Sequence, residues 1–423
     1  MARKVFVTSR PWQEALEEFL GSLRSNGYLA GLPAEEIDVT RALGRVTAAP
    51  VYAAISSPHY PAAAMDGIAV RAEKTFGASE GEPLELALDR EAVLVDTGDP
   101  LPEGFDAVIM IEEVTFKDKV AAVIRRPAVP GQNIRPVGED ITAGELLVPA
   151  GQALTPYDLG GLLSAGVTMV AVRPRPRVAI LPTGTELVPP NPNPAPGQIL
   201  ESNGTMLAGL VTRWGGEPRV YPITPDDYQL LKERLLQALA ESDLVLINAG
   251  SSAGREDYTA RLVAELGQVL THGVATRPGK PVILGIVEDK PVIGVPGYPV
   301  SAALCAELFA RPVIYYRQGL EPPRRERVQA VLARKIYSPL GREEFVRVRL
   351  ERERDRLVAI PTSRGAGTIM ALARADGIVV VPRLAEGFAA GQEVTVYLLR
   401  PRETLLEELH TGARTIKGSY NLE

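Results

Sequence analysis

The sequence predicts an α/β multidomain protein: a central α/β/α domain with a parallel sheet, two β-rich domains, and an elongated helical linker domain. Three observations predict it. Residues 176–322 alternate continuous apolar runs, such as Leu244-Val-Leu-Ile247, with helical patterns, such as Leu230, Leu231, Leu235 and Leu239. That alternation marks a parallel sheet covered on both faces. Residues 51–148 carry short apolar runs broken by Gly, Pro and Asp, and residues 323–400 return to strand patterns. Finally, 423 residues exceed what one core holds, roughly 250–300 residues.

Taken in order, Trp12, Ala15, Leu16, Phe19, Leu20 and Leu23 recur at helical spacing, and Asn26-Gly27 ends that helix. Residues 1–50 and 149–175 are assigned to the linker domain. Within 51–148 the strands are Ala92–Val95, Ala107–Ile111 and Val120–Ile124. Tyr157–Leu163 is helical, and Arg173-Pro-Arg-Pro176 separates strand Val167–Val172 from Val178–Leu181. The central strands are Val178–Leu181, Arg219–Ile223, Leu244–Ile247, Val282–Ile286 and Val292–Val295. Their helices are Asn203–Trp214, Asp226–Leu239, Tyr258–Leu266 and Val300–Tyr316. In 323–400, Phe345–Leu350 alternates at period two, Gly377–Val381 and Val394–Leu398 follow, and Thr368–Arg374 is a helical insertion. Residues 401–423 form a polar tail.

Composition excludes several classes. The net charge is −6, from 46 basic and 52 acidic residues, so no basic surface is offered to nucleic acid. Cys305 is the single cysteine, which rules out a disulfide framework or cysteine zinc site within one chain. It falls in an apolar helix pattern and reads as core. His59, His272 and His410 lack ligand spacing. No leader-like segment and no run of ~18 apolar residues occurs. The expectation is a cytoplasmic protein with no membrane partner.

The chemistry concentrates at strand ends, where open α/β sheets bind ligands. Asn248-Ala-Gly-Ser-Ser-Ala-Gly-Arg-Glu-Asp-Tyr258 runs from strand through tiny residues into a helix, an arrangement that holds anions. Gly250, Ser251, Ser252, Gly254 and Asp257 are its candidates. Pro182-Thr183-Gly184-Thr185-Glu186 follows the first strand and serves either as a site or as a turn with a cap. Asp226, after the second, is either functional or an N-cap. Arg277-Pro-Gly-Lys280-Pro281 holds a lysine on a stiff loop. Pro296-Gly297-Tyr-Pro-Val-Ser301 ends the last strand. Hydroxyls and glycines cradle an oxyanion, and carboxylates beside them hold a hard cation. Together they point to metal-assisted chemistry on a phosphorylated or oxyanionic substrate. Three polar turns stand apart, carrying Asp66, Thr97 and Asp140.

These segments, in this order over residues 10–400, resemble the MoeA family of molybdopterin molybdenumtransferases, with the gephyrin E domain as a eukaryotic relative. Matching stretches are Ala64-Met-Asp-Gly67, Thr97-Gly98, Gly138-Glu-Asp140, Pro182–Glu186, Asn248–Tyr258, Pro278-Gly-Lys-Pro281 and Pro296–Ser301. The resemblance implies a molybdopterin-binding type of central domain. It also implies an elongated homodimer whose active site joins the central domain of one subunit to the β domain of the other. The implied reaction takes adenylylated molybdopterin and molybdate or tungstate, cleaves the phosphoanhydride with Mg2+, and releases AMP. Asp66, Thr97, Asp140, Glu186, Asp226, Asp257 and Lys280 are then catalytic, with Glu186 and Asp257 as metal ligands. Thr183, Gly184, Thr185, Arg277, Pro296, Gly297, Ser301 and Arg364 join the loop residues in binding substrate. The adenylyltransferase and apo-molybdoenzymes are the implied protein partners.

Several positions depart from the family. The main loop reads Ala249-Gly-Ser-Ser-Ala253 where Ser-Gly-Gly-Val-Ser is usual. Tyr298 replaces an asparagine, Ala63 a serine, Arg277 a lysine, and Gly273 stands near another lysine position. This texture resembles MoeA-like proteins carrying a C-terminal periplasmic-binding-protein-like domain. Two other functions compete: adenylyl transfer onto molybdopterin, which does not need the Asp66 and Asp140 elements, and a non-enzymatic oxyanion or pterin-binding scaffold.

Overall fold

The computed structural model describes residues 10–117, 120–249, 258–353, 356–403 and 405. The chain forms two compact units: residues through Pro33 with those from Pro174 onward, and Ala34–Arg173.

The first unit is built on a six-stranded sheet of β1 (Arg177–Thr183), β2 (Glu217–Val220), β3 (Leu244–Ala249), β4 (Gly267–His272), β6 (Ile283–Val287) and β7 (Lys290–Pro296). Its order is β2-β1-β3-β7-β6-β4. The first four run parallel. The expectation of a wholly parallel sheet is corrected at the far edge, where β6 and β4 pair antiparallel. Apolar runs buried on both faces do not encode direction. The two-residue turn Glu288-Asp289, both at positive φ, closes the β6–β7 hairpin.

Alternate residues of each strand enter opposite layers. Val178, Ile180, Leu244 and Leu246 face a cluster with α1 (Trp12–Ser25), α2 (Asn203–Arg213) and the helix from Pro299. Ala179, Leu181, Val245 and Ile247 face α3 (Tyr228–Glu241) and α4 (Tyr258–Leu266). The helix from Pro299 runs as α5 (Pro299–Cys305), a π turn (Ala306–Ala310) and α6 (Arg311–Arg317). Phe19 and Leu23 of α1 are fully buried in the central cluster. Burial of such side chains contributes about 1.5–3 kcal/mol each. The helix expected in the linker domain therefore belongs to the central unit. The strand expected at Arg219–Ile223 lies earlier, at β2, and the helix expected from Asp226 starts at Tyr228.

The remainder of this unit is a small barrel of β8 (Arg327–Leu332), β9 (Glu343–Glu353), β10 (Arg356–Pro361), β11 (Gly377–Val381) and β12 (Glu393–Leu398). The order β9-β10-β8-β12-β11 closes because β11 also pairs with β9. One further strand, β5 (Thr276–Arg277), comes from the central segment and pairs parallel with β9 through Thr276–Glu343 and Arg277–Glu344.

In the second unit, Glu35–Asp38 pairs with Met169–Val172, and helix Pro156–Ser164 starts at a Thr155–Asp158 capping box. Gly67–Val70 is central in a three-stranded sheet with Ala92–Val95 and Ala107–Met110. A second three-stranded sheet holds Leu84–Ala87, Val114–Lys117 and Ala121–Ile124. Among the described residues, no helix is long and apolar enough to cross a membrane.

Candidate active site

The parallel part of the sheet brings three chain reversals to one edge. Thr183 ends β1, buried, and its hydroxyl donates to Asn248 O at 3.2 Å. Gly184 N donates to Thr224 O at 3.0 Å. Thr185 Oγ1 then accepts from Asp226 N at 3.1 Å. The Thr183–Glu186 loop and the Thr224–Asp227 loop are thereby fastened together. Asp227, not Asp226, caps α3, its side chain accepting from Leu230 N at 2.8 Å. The N-cap alternative for Asp226 is removed, and its carboxylate stays with the Thr185 loop.

Gly184 matters for a steric reason. Its φ is +150°, and a Cβ there would lie 2.9–3.0 Å from the Glu186 carboxylate oxygens. The missing side chain lets Glu186 fold back over the loop. Beside it lies a cleft of about 570 Å³ lined by Pro182, Gly184, Thr185, Tyr221, Pro222 and Pro225, among others.

Two asparagines tie this edge to the end of β7. Asn203, at the start of α2, donates to Asn248 Oδ1 at 3.0 Å and to Gly297 O at 2.6 Å. Asn248 Nδ2 donates to Pro296 O at 2.9 Å. Sequence reasoning gave neither residue this role; the polar Asn203 opening an otherwise apolar helix pattern was the available signal. Ser301, buried, sits in the first turn of α5. Gly250, Ser251, Ser252, Gly254 and Asp257 lie outside the described residues.

The basic candidates gather where the barrel meets the central segment. Gly279, at φ +95°, lies against Cys305 Sγ, which donates to Gly279 O at 3.4 Å and seats the Lys280 loop. Burial pushes the Cys305 thiol pKa up, consistent with an inert packing residue. Lys280 is exposed, its carbonyl accepting from Val274 N at 2.9 Å. Arg277 and Arg364 converge on Glu344. Arg364 donates Nε to Glu344 Oε1 at 3.0 Å and adds a second bond from Nη2, while Arg277 Nε lies 3.6 Å from the same oxygen. The Glu344 side chain is 3% exposed, against 44% for Arg277 and 32% for Arg364. The carboxylate thus grips both guanidinium groups from the protein side and leaves them partly open to solvent. Arg347 Nη2 donates to Ser363 O and Gly365 O, fixing the loop that carries Arg364. Ala366 O in turn accepts from Val300 N at 3.1 Å, docking that loop on the start of α5. Glu344 carried no sequence signal.

In the second unit, Thr97 N and Oγ1 each donate to Asp66 Oδ1 at 2.7 Å. The hydroxyl first, and the N–H second, hold the Asp66 carboxyl below the usual range. Asp140 is exposed on a neighbouring turn whose backbone bonds to Ser57 O at 3.0 Å. Among the described residues no contact joins it to Asp66.

Comparison with known proteins agrees with this architecture. Family profiles match residues 10–166 as the MoeA N-terminal region (domain I and II), 179–316 as a "Probable molybdopterin binding domain", and 329–399 as the MoeA C-terminal region (domain IV). A protein of Methanocaldococcus jannaschii named for molybdopterin biosynthesis is 37% identical over 86% of this chain and 92% of its own. Molybdopterin molybdenumtransferase 2 of Mycobacterium tuberculosis is 33% identical over 85% and 94%. The crystal structure of a MoeA molybdopterin biosynthesis protein from Pyrococcus horikoshii superposes with a TM-score of 0.77 at 34% identity, covering 93% of this chain and all of that one. With sequence and fold agreeing over nearly the whole length, the chain belongs to the MoeA family.

Proposed function

We propose that this protein is a molybdopterin molybdenumtransferase acting in molybdenum-cofactor biosynthesis. It inserts molybdate into adenylylated molybdopterin and cleaves the phosphoanhydride with release of AMP. The observation that carries this reading is the joined sheet edge: Thr183–Glu186, Asp226 and Pro296–Gly297 are fastened to one another through Thr185, Asn203 and Asn248. Similarity to the named transferases supports the substrate class.

Hydrolysis of the anhydride adds water across one P–O bond and leaves two phosphate products. Negative charge rises on the departing phosphate, and Lys280 on its rigid loop stabilises it. Thr185 and Ser301 orient the phosphates by donating from their hydroxyls, while the Thr183 hydroxyl is committed to Asn248 O and shapes the loop. Arg277 and Arg364, backed by Glu344, hold the oxyanion in planar forks.

A divalent cation fits the donors present. Glu186 and Asp226 are carboxylates on neighbouring loops, and Mg2+ takes one or two carboxylates together with substrate phosphate oxygens. Among the described residues there is no group of three or more acidic, His or Cys side chains that could hold a metal. Glu186, joined by Asp257, would hold Mg2+, which supplies charge neutralisation at the phosphates. Asp66, Thr97 and Asp140 complete the site from a second copy of the chain.

The test is AMP release from adenylylated molybdopterin with Mg2+ and molybdate, run in parallel with tungstate. Wild type should release AMP, and Glu186→Ala and Asp257→Ala should not. Binding without AMP release in the wild type overturns the reading.

A further inference from the structure

A second concave site lies away from the sheet edge. A cavity of about 480 Å³ opens between the helix running from Val300 to Tyr315 and the barrel, and none of the candidate active-site residues lines it. Its volume falls in the range of small-molecule sites, roughly 300–1,000 Å³. Among the described lining residues, six are arginines (Arg213, Arg311, Arg324, Arg325, Arg347 and Arg400) against two glutamates, Glu307 and Glu326. The whole chain is net −6, so this local excess of positive charge runs against the overall balance.

Glu307 is already engaged by Arg311 and Arg325. Arg213 and Arg324 are exposed with no carboxylate within 4 Å among the described residues, while Arg347 is buried with its Nη2 engaged by Ser363 O and Gly365 O. The wall also contains apolar surface from Trp214, Leu304, Phe345 and Ile378. The helix lining the cavity is interrupted by the π turn Ala306–Ala310, which includes Glu307. Such turns recur at functional sites because they change the register of the side chains that follow.

We propose that this cleft binds an organic oxyanion: an apolar or aromatic body carrying a phosphate or carboxylate. The arginines match the paired oxygens of a carboxylate or phosphate through their forked donors, and the apolar wall distinguishes such a ligand from an inorganic ion.

The chain has two tryptophans, Trp12 and Trp214. In a Trp12→Phe background, Trp214 emission reports on the cleft alone. Phenyl phosphate, benzoate and inorganic phosphate are titrated separately. Phenyl phosphate or benzoate should give a saturable response, and which of the two binds more tightly identifies the anionic group. Inorganic phosphate should bind about tenfold more weakly, for want of the apolar contact. Exchanging the exposed Arg213 and Arg324 for Ala should weaken the organic anion about tenfold or more. Lys280→Ala should leave its binding unchanged. No saturable response, a response indifferent to the double exchange, or one lost with Lys280→Ala each overturns the proposal; the last would place binding at the sheet edge. Because AMP release is not the readout, failure here is separable from failure of the transferase reading.

Discussion

Asn203 and Asn248 meet through their side-chain amides, Nδ2 of the first 3.0 Å from Oδ1 of the second, with both residues buried. Asn203 also donates to Gly297 O and Asn248 Nδ2 donates to Pro296 O, so both reach the end of β7. Asn203→Ala strips the donor from two acceptors. Since an unsatisfied buried polar group costs about 1–3 kcal/mol, urea unfolding should register a loss of that size, with slower AMP release. Asn203→Asp should be worse than Ala, because it turns a carboxylate toward two oxygens. If the aspartate variant is as stable as wild type, the amide link is not what holds this edge.

Glu344 positions two arginines without touching a reacting group in the proposed chemistry. Charged hydrogen bonds contribute about 1.5–3 kcal/mol, discounted here because both guanidiniums are partly exposed. Glu344→Ala should therefore cost about 1–2 kcal/mol. Initial rates across a molybdate series should give a KM raised more than kcat is lowered, and Glu344→Asp should recover part of the loss. A pure kcat effect would contradict a positioning role.

Gly184→Ala puts a methyl group 2.9–3.0 Å from the Glu186 carboxylate oxygens, at a φ of +150°. Strain of about 1–3 kcal/mol is expected, and Glu186 must move. AMP release should fall by about tenfold or more, while circular dichroism stays native-like. Full activity in this variant would mean that the folded-back Glu186 is not the working position.

Thr97 governs the ionisation of Asp66. The carboxyl pKa is depressed in the fold, so the stabilisation it gives is present above the unfolded value of about 3.9 and is lost as pH falls through the folded value. Thr97→Val removes the hydroxyl bond and keeps the shape. Carboxyl NMR titration should show the Asp66 pKa rising toward the usual range, and any acid limb of the rate profile set by Asp66 should move to higher pH. An unchanged titration would place the cause elsewhere.

The proposed sharing of the site between two copies is tested by mixing variants. Glu186→Ala and Asp66→Ala proteins should each be inactive alone. Unfolded and refolded together, they should recover part of the wild-type AMP release, because one of the two sites in a mixed dimer is intact. No recovery from a mixture shown to contain mixed dimers would argue that both residues serve the same copy.

The sequence was most readable where short-range pattern carries the information. Of the four leucines read together, Leu231, Leu235 and Leu239 form the buried face of α3 while Leu230 is exposed, and Val178–Leu181 is a buried strand as expected. Phase was harder. Asp226 and Asp227 are adjacent carboxylates, and only the backbone shows that the second caps α3. Direction was unreadable in β6, whose apolar run would suit either orientation. Glu344 meets Arg364 across 20 residues and Arg277 across a different segment; no periodicity records such meetings. Asn203 and Asn248 are 45 residues apart and likewise required the fold.

The parallel pairing of β5 with β9 has a consequence for modular exchange. The barrel takes one of its strands from a segment some fifty residues upstream of its own start. A cut near residue 322 would leave the edge of β9 without its Thr276–Arg277 neighbour, and an open edge invites non-native pairing. Chimaeras that swap barrels between relatives should therefore carry Thr276 to Lys280 with them, so that Arg277 stays with Glu344 and Arg364 and follows the barrel rather than the numerical domain boundary.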